Sequence, residues 1–201
     1  MTSYEIIGTI LGLISVWLTV RQNIWCWPTG LAMVALYAVV FFHAKLYADA
    51  GLQVVYFVLQ LYGWHEWLHG GSKRGKLDIT RISLRLGVVL IVIAVTATAL
   101  MGHLLATKTD AALPYWDSTA TVLSLVAQWM LARKIIENWL VWVAVDLLSI
   151  GIYAAKELYP TMALYAAFLA LAAFGWIEWK KSLNSLSSDR RLMSDRSLPQ
   201  E

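Results

Sequence analysis

Seven apolar stretches, each close to the length a helix needs to cross a bilayer, alternate along this chain with short segments that hold most of its charge. They run over about 5–21, 27–43, 51–68, 84–106, 118–133, 139–155 and 160–179. A hydrocarbon core of about 30 Å requires roughly 20 apolar residues in a helix, and Trp or Tyr at the stretch ends extends the shorter ones into the interface. Composition agrees. Of the 201 residues 59% are apolar and 14% charged, with a mean hydropathy of +0.61, whereas soluble domains carry about 25% charged residues. A soluble chain of this size leaves roughly a third of its unfolded surface in water. An ordinary soluble enzyme, a disordered chain and a disulfide scaffold are therefore excluded. The single Cys26 cannot close an internal disulfide and says nothing of redox compartment. The net charge is +3, but no basic stripe crosses the apolar runs. The expected partner is a lipid bilayer and not nucleic acid.

The distribution of cations predicts orientation, because Lys and Arg accumulate on the cytoplasmic side. One side receives Arg21, the group Lys73, Arg74, Lys76, Arg81 and Arg85, the pair Arg133 and Lys134, and Lys180, Lys181, Arg190, Arg191 and Arg196. The other side has only Lys45, Lys108 and Lys156. Seven spans then put the N-terminus outside and the C-terminus in the cytoplasm. No secretory signal peptide is expected, since Glu5 rather than a basic segment precedes the first span. The polar residues 182–201 are expected to form a disordered cytoplasmic tail.

Displaced by 112 positions, the chain aligns with itself without a gap. Trp17 and Arg21 fall on Trp129 and Arg133, Trp27 on Trp139, and Leu46-Tyr47 on Leu158-Tyr159. Gly63-Trp64-His65-Glu66-Trp67 falls on Gly175-Trp176-Ile177-Glu178-Trp179. Tryptophan is rare enough that these coincidences indicate a duplicated three-helix unit, at 5–68 and 117–180. Three is odd, so a directly joined second copy would be inverted. The bland helix at 84–106 restores the orientation and gives a parallel 3+1+3 plan. Transporters built from repeats hold their substrate near the bilayer midplane between them.

Differences between the copies point to a single asymmetric site. In the sixth span Trp139, Trp142, Asp146, Ser149 and Tyr153 are spaced to share one helical face. The matching face of the second span reads Trp27, Gly30, Val34, Tyr37 and Phe41, without the second indole or the carboxylate. A charge deep in a span costs at least about 2.5 kcal/mol on insertion scales, so Asp146 is either a substrate contact or a partner in a helix-packing hydrogen bond. Two indoles above a carboxylate could hold a flat cationic ring by stacking and cation–π attraction. Asp117, Thr121, Ser124 and Gln128 form a second polar stripe on the fifth span. The Gln128 amide could read a polar ligand edge or link helices. Gln53, Tyr56 (or Phe57), Gln60, Trp64 and Trp67 make a comparable face on the third span, where the copy has Ala172 in place of Gln60. Tyr37 and Tyr153 are candidates for a gate or for packing within the bundle.

Trp25, Trp67, Trp116 and Trp179, near span ends, are expected in an interfacial belt. His65-Glu66-Trp67-Leu68-His69 matches the H-E-x-x-H pattern of zinc proteases, which leaves an intramembrane metalloenzyme as a remote alternative. Its Glu belongs to the duplicated Gly-Trp-x-Glu-Trp frame, and the other copy has Ile177 and Lys181 at the His positions. No third ligand is apparent. Neither a metal nor a cofactor is expected, and no nucleophile elbow or phosphate loop is present.

Several runs resemble the PnuC family of nicotinamide riboside transporters. In the first half these are Trp27-Pro28-Thr29-Gly30, Phe41-Phe42-His43-Ala44-Lys45-Leu46-Tyr47-Ala48-Asp49 and Tyr62-Gly63-Trp64. In the second they are Leu125-Val126-Ala127-Gln128-Trp129, Ala132-Arg133-Lys134 and Glu137-Asn138-Trp139-Leu140-Val141-Trp142, followed by Asp146. The resemblance implies an all-α membrane protein with seven transmembrane helices related to SWEET-type transporters, in a bacterial inner membrane, as a homotrimer. It implies facilitated diffusion of an unphosphorylated vitamin-like nucleoside, drawn inward by a cytoplasmic kinase that needs no direct contact. Members also carry thiamine or riboflavin, so another vitamin is the alternative cargo. Carried onto this chain, the resemblance makes Trp139, Trp142, Asn138 and Gln128 substrate-site residues.

Overall fold

The computed structural model describes residues 3–71 and 75–196, which form seven helices and no strand. They are α1 (Ser3–Val20), α2 (Cys26–His43), α3 (Tyr47–His69), α4 (Leu84–Lys108), α5 (Pro114–Ala132), α6 (Asn138–Ala155) and α7 (Tyr159–Arg196). Among the described residues α2, α4, α6 and the Tyr159–Ser185 part of α7 are long and apolar enough to cross a membrane, and α1 offers the shorter apolar run Ile6–Val20. The sequence reading expects seven spans; α3 and α5 fall short by composition. The cause is visible in the packing. Gln60, Ser124 and Gln128 are buried against other helices rather than presented outward, so these two helices carry polar residues on their inner faces.

Helices α1, α2, α3, α5, α6 and α7 pack in that order as a closed ring, α7 returning to α1, while α4 lies outside the ring against α5. Most of the large apolar side chains of α4, from Leu84 through Leu104, are exposed.

Equivalent residues in the two halves adopt equivalent structure. Cys26–His43 and Asn138–Ala155 lie 112 residues apart at both ends, as do the starts of α3 and α7. Helices α1 and α5 end alike. Gln22 and Lys134 adopt φ of 52° and 51°; Asn23 N donates to Leu18 O and Ile135 N to Met130 O, each at 2.9–3.0 Å. Lys45 and Glu157, with φ of 61° and 56°, end α2 and α6 in the same way. This is the Schellman stop normally supplied by glycine. Its use of four non-glycine residues, each disfavoured by about 1–2 kcal/mol, means that tertiary packing sets these turns.

The core lies at the cation-rich end of the ring. Trp27 meets Trp67 edge-on with ring centroids 5.3 Å apart, and Trp139 meets Trp179 at 5.5 Å. Gly63 and Gly175 make room for them, since a Cβ at either would strike the ring of Trp27 or Trp139. Trp67 Nε1 donates to Leu131 O and Trp179 Nε1 to Thr19 O, both at 3.1 Å. Each half thus anchors an indole on the other. Trp67 and Trp179 are 3% and 0% exposed, which corrects their expected place in an interfacial belt: the duplicated glycines let helices approach closely enough to enclose them. Trp25 and Trp116, at 64% and 55%, are exposed as a belt requires.

The segment between α3 and α4 crosses this end as a strap. Thr80 N donates to Lys134 O and Ile136 N to Thr80 O, while Ile82 N donates to the Glu137 carboxylate at 2.9 Å. Lys134 donates to Leu77 O and sits 4.5 Å above the Trp67 ring; burial holds its ammonium below the ordinary lysine range, opposed by nearby Asp78. At the other end of the ring Lys156 pairs with Asp117 at 3.3 Å. The chain stays helical to Arg196, where disorder is expected from residue 182. Beyond the apolar part, Ser182 accepts from Gln22 at 3.0 Å and Leu183 packs on the Trp core, which carries the helix past Lys181. Residues 197–201 of the expected tail lie outside the described residues.

Candidate functional site

Above the Trp core the ring encloses a cavity of about 560 Å³, within the range of small-molecule sites. The first half contributes Thr9, Ser15 and Thr19 from α1, Trp27, Val34, Tyr37 and Phe41 from α2, and Gln53, Tyr56 and Gln60 from α3. The second contributes Gln128 and Leu131 from α5, Trp139, Trp142, Asp146 and Tyr153 from α6, and Thr161, Tyr165, Phe168 and Ala172 from α7. Trp27, Trp139, Leu131 and Ala172 belong to both cavity wall and core cluster, so the Trp core is its floor.

Seven of the residues expected at the site converge here: Tyr37, Gln60, Gln128, Trp139, Trp142, Asp146 and Tyr153. Two do not. Asn138 is fully buried outside the cavity wall and donates its amide to Ile135 O at 2.6 Å. It braces the turn that starts α6. Thr121 also lies off the wall, and its carbonyl accepts from Ser124 at 2.9 Å. The polar stripe on α5 enters the cavity only at Gln128, because Ser124 is taken by Tyr56 of α3.

Three polar groups in the wall are nearly sealed from solvent yet form no hydrogen bond or ion pair among the described residues. Asp146 is 3% exposed, Gln128 6% and Gln60 8%. Buried polar groups in native proteins are nearly always paired, and an intramembrane carboxyl facing a cavity marks a functional pathway. No Lys, Arg or His is among the described residues lining the cavity. The wall therefore offers one carboxyl, two primary amides and several aromatic faces. It suits a flat ring with hydrogen-bonding edges, and a cation rather than an anion.

Aromatic pairs flank the part of the cavity away from the Trp floor. Tyr37 stacks on Phe41 at 5.8 Å in α2, and Tyr153 on Tyr165 at 5.3 Å between α6 and α7. The sequence reading missed Tyr165, Phe168 and the α1 face. The 112-residue offset could have found the first two, since Tyr165 and Phe168 occupy the positions of Gln53 and Tyr56. The H-E-x-x-H residues lie elsewhere. His65 and His69 have ring centroids 4.9 Å apart at the end of α3, but Glu66 pairs with Arg133 at 3.3 Å. No group of three possible metal ligands occurs among the described residues.

Comparison with known proteins gives one answer. The sequence model of the nicotinamide mononucleotide transporter family matches residues 2–181. The nicotinamide riboside transporter PnuC of Escherichia coli is 30% identical over 92% of this chain and 87% of its own length. The riboflavin/roseoflavin transporter RibM of Streptomyces davaonensis is 28% identical over 87% of this chain and 83% of its own. A crystal structure of the vitamin B3 transporter PnuC superposes with a TM-score of 0.71 at 25% identity, covering 89% of this chain and 81% of that one. Ring, cavity and sequence all agree: the chain belongs to the PnuC family of membrane transporters, described by its sequence model as nicotinamide mononucleotide transporters.

Proposed function

We propose that this protein carries nicotinamide riboside into the bacterial cytoplasm by facilitated diffusion. The observation that carries the proposal is the unpaired carboxyl of Asp146 in a cavity lined by Trp139 and Trp142 and by no cationic residue. Nicotinamide riboside has a cationic pyridinium, a carboxamide and ribose hydroxyls. The indoles suit its ring, Asp146 its charge, and Gln128 and Gln60 its hydrogen-bonding edges. The names of two relatives, nicotinamide riboside transporter and vitamin B3 transporter, support the same cargo. A mononucleotide, the other ligand suggested by the family's description, brings a phosphate dianion into a wall that offers it a carboxyl and no Lys, Arg or His. The nucleoside is therefore favoured.

Alternating access is proposed to act through two parallel three-helix units, 5–68 and 117–180, joined by a linking helix at 84–106 in a 3+1+3 plan like that of SWEET-type transporters. Helix boundaries and stop turns repeated at 112 residues support it. All seven helices are assigned as spans of the inner membrane, with the N-terminus outside and the C-terminus cytoplasmic. The excess of Lys and Arg on one side supports that orientation. A homotrimer, and a cytoplasmic kinase that traps imported substrate, complete the reading on family likeness. Transport of another vitamin is the second reading. The riboflavin transporter RibM is a relative of similar coverage, and the aromatic wall suits any flat ring.

The test is ligand binding by purified Trp142→Ala and Gln128→Ala variants. Loss of the stacking indole or of an amide contact is expected to weaken nicotinamide riboside binding about tenfold or more without altering helical content. Wild-type affinity in both variants would remove the site assignment.

A further inference from the structure

An exchange of bulk between the two halves shapes the cavity. In the first half position 30 is glycine and position 60 glutamine; 112 residues later the same positions hold Trp142 and Ala172. Gly30 is buried on α2, and a Cβ placed there would collide with the Gln60 amide nitrogen and lie 2.9 Å from both its carbon and its oxygen. The Gln60 amide thus lies directly over the backbone of α2 at Gly30. In the second half the large group stands on the other helix: Trp142 projects from α6, and α7 presents only Ala172. Both large groups, Gln60 and Trp142, line the cavity, one from each half.

From this geometry we infer that Gly30 is a positioning residue for Gln60, and that Gln60 is the first half's polar contact to the ligand. The inference rests on the proposed vitamin transport through this cavity. The amide has no hydrogen-bond partner among the described residues although Gln60 is only 8% exposed. A donor and an acceptor are therefore held ready for a ligand edge. Gly30 holds them there by leaving space, not by any contact of its own. The atoms a Cβ would meet are the far end of a flexible side chain. Gly30→Ala should therefore displace the amide and leave the helices packed.

The test is a double-mutant cycle on ligand affinity, with thermal unfolding as a check on folding. Gly30→Ala and Gln60→Ala are each expected to weaken nicotinamide riboside binding between about threefold and tenfold, the loss of one hydrogen bond. The double variant should bind no worse than Gln60→Ala. Gln60→Asn, whose shorter side chain withdraws the amide from position 30, should make Gly30→Ala harmless. Equal weakening by Gly30→Ala with and without the Gln60 amide would overturn the positioning role, and wild-type affinity in Gln60→Ala would overturn the contact. If the wild type binds no nicotinamide riboside but binds riboflavin or thiamine, the cargo assignment fails and the cycle is read with that vitamin. If it binds none of the three, both readings fall.

Discussion

Replacing Asp146 with Asn should move ligand affinity and protein stability in opposite directions. The carboxyl is 3% exposed in the cavity wall and has no hydrogen bond or ion pair among the described residues. A pyridinium about 5 Å away gains about 3 kcal/mol from a carboxylate at an effective dielectric of about 20. Desolvating the ligand offsets part of that, and measured couplings between close charges start at about 1.5 kcal/mol. A net loss of about 2 kcal/mol, or about thirtyfold in Kd, is expected for the cation. The protein without ligand gains instead. An unpaired carboxyl at membrane depth is costly, while Asn keeps its shape without the charge, so the thermal midpoint of the empty protein should rise. Titration calorimetry with nicotinamide riboside measures the first effect, and thermal unfolding without ligand the second. A neutral flat ligand such as riboflavin should respond far less than the cation. Unchanged or tighter binding of the cation would refute the electrostatic role. A lower midpoint in the empty variant would show that Asp146 supports the helix packing.

Trp179→Phe keeps the ring and removes the donor to Thr19 O; because that carbonyl also accepts from Gln22 N, it is not orphaned, and the cost should be about 1 kcal/mol. Trp179→Ala should cost about 3–5 kcal/mol, and equal thermal midpoints for the two variants would contradict the packing described for this core. His65→Ala and His69→Ala should retain wild-type uptake, since neither residue lines the cavity; stoichiometric zinc in the purified protein together with lost uptake would restore the metal reading. A fluorescent reporter at the C-terminus should be active in the cytoplasm, and a secreted-phosphatase reporter active at that end would reverse the proposed orientation.

The scaffold was legible because it was written twice. Tryptophan, glycine and glutamate recurring at a fixed distance located the paired units, and the helices begin and end accordingly. The α6 face was legible by periodicity, and Trp139, Trp142, Asp146 and Tyr153 do line one cavity. Periodicity failed where a side chain's partner decides its role. Asn138 lies next to Trp139 in sequence, yet its amide is spent on the turn at Ile135. Thr121 shares a stripe with Gln128 but sits further from the Trp floor along α5, off the cavity wall. Trp67 and Trp179 were misplaced for a related reason. A Trp near a span end suits a membrane interface, and only close approach at Gly63 and Gly175 draws the surrounding rings into a core. The pairing of Gly30 with Gln60 could not be read at all, because it depends on how two helices face each other.

Binding of nicotinamide riboside and of nicotinamide mononucleotide to the purified protein, side by side, tests the central claim most directly. The two ligands share ring, carboxamide and ribose, and differ in a phosphate that the cavity offers no Lys, Arg or His to meet. The nucleoside should bind at least about a hundredfold more tightly, the size of a charge left unpaired in a closed site. Equal or tighter binding of the mononucleotide would contradict the account.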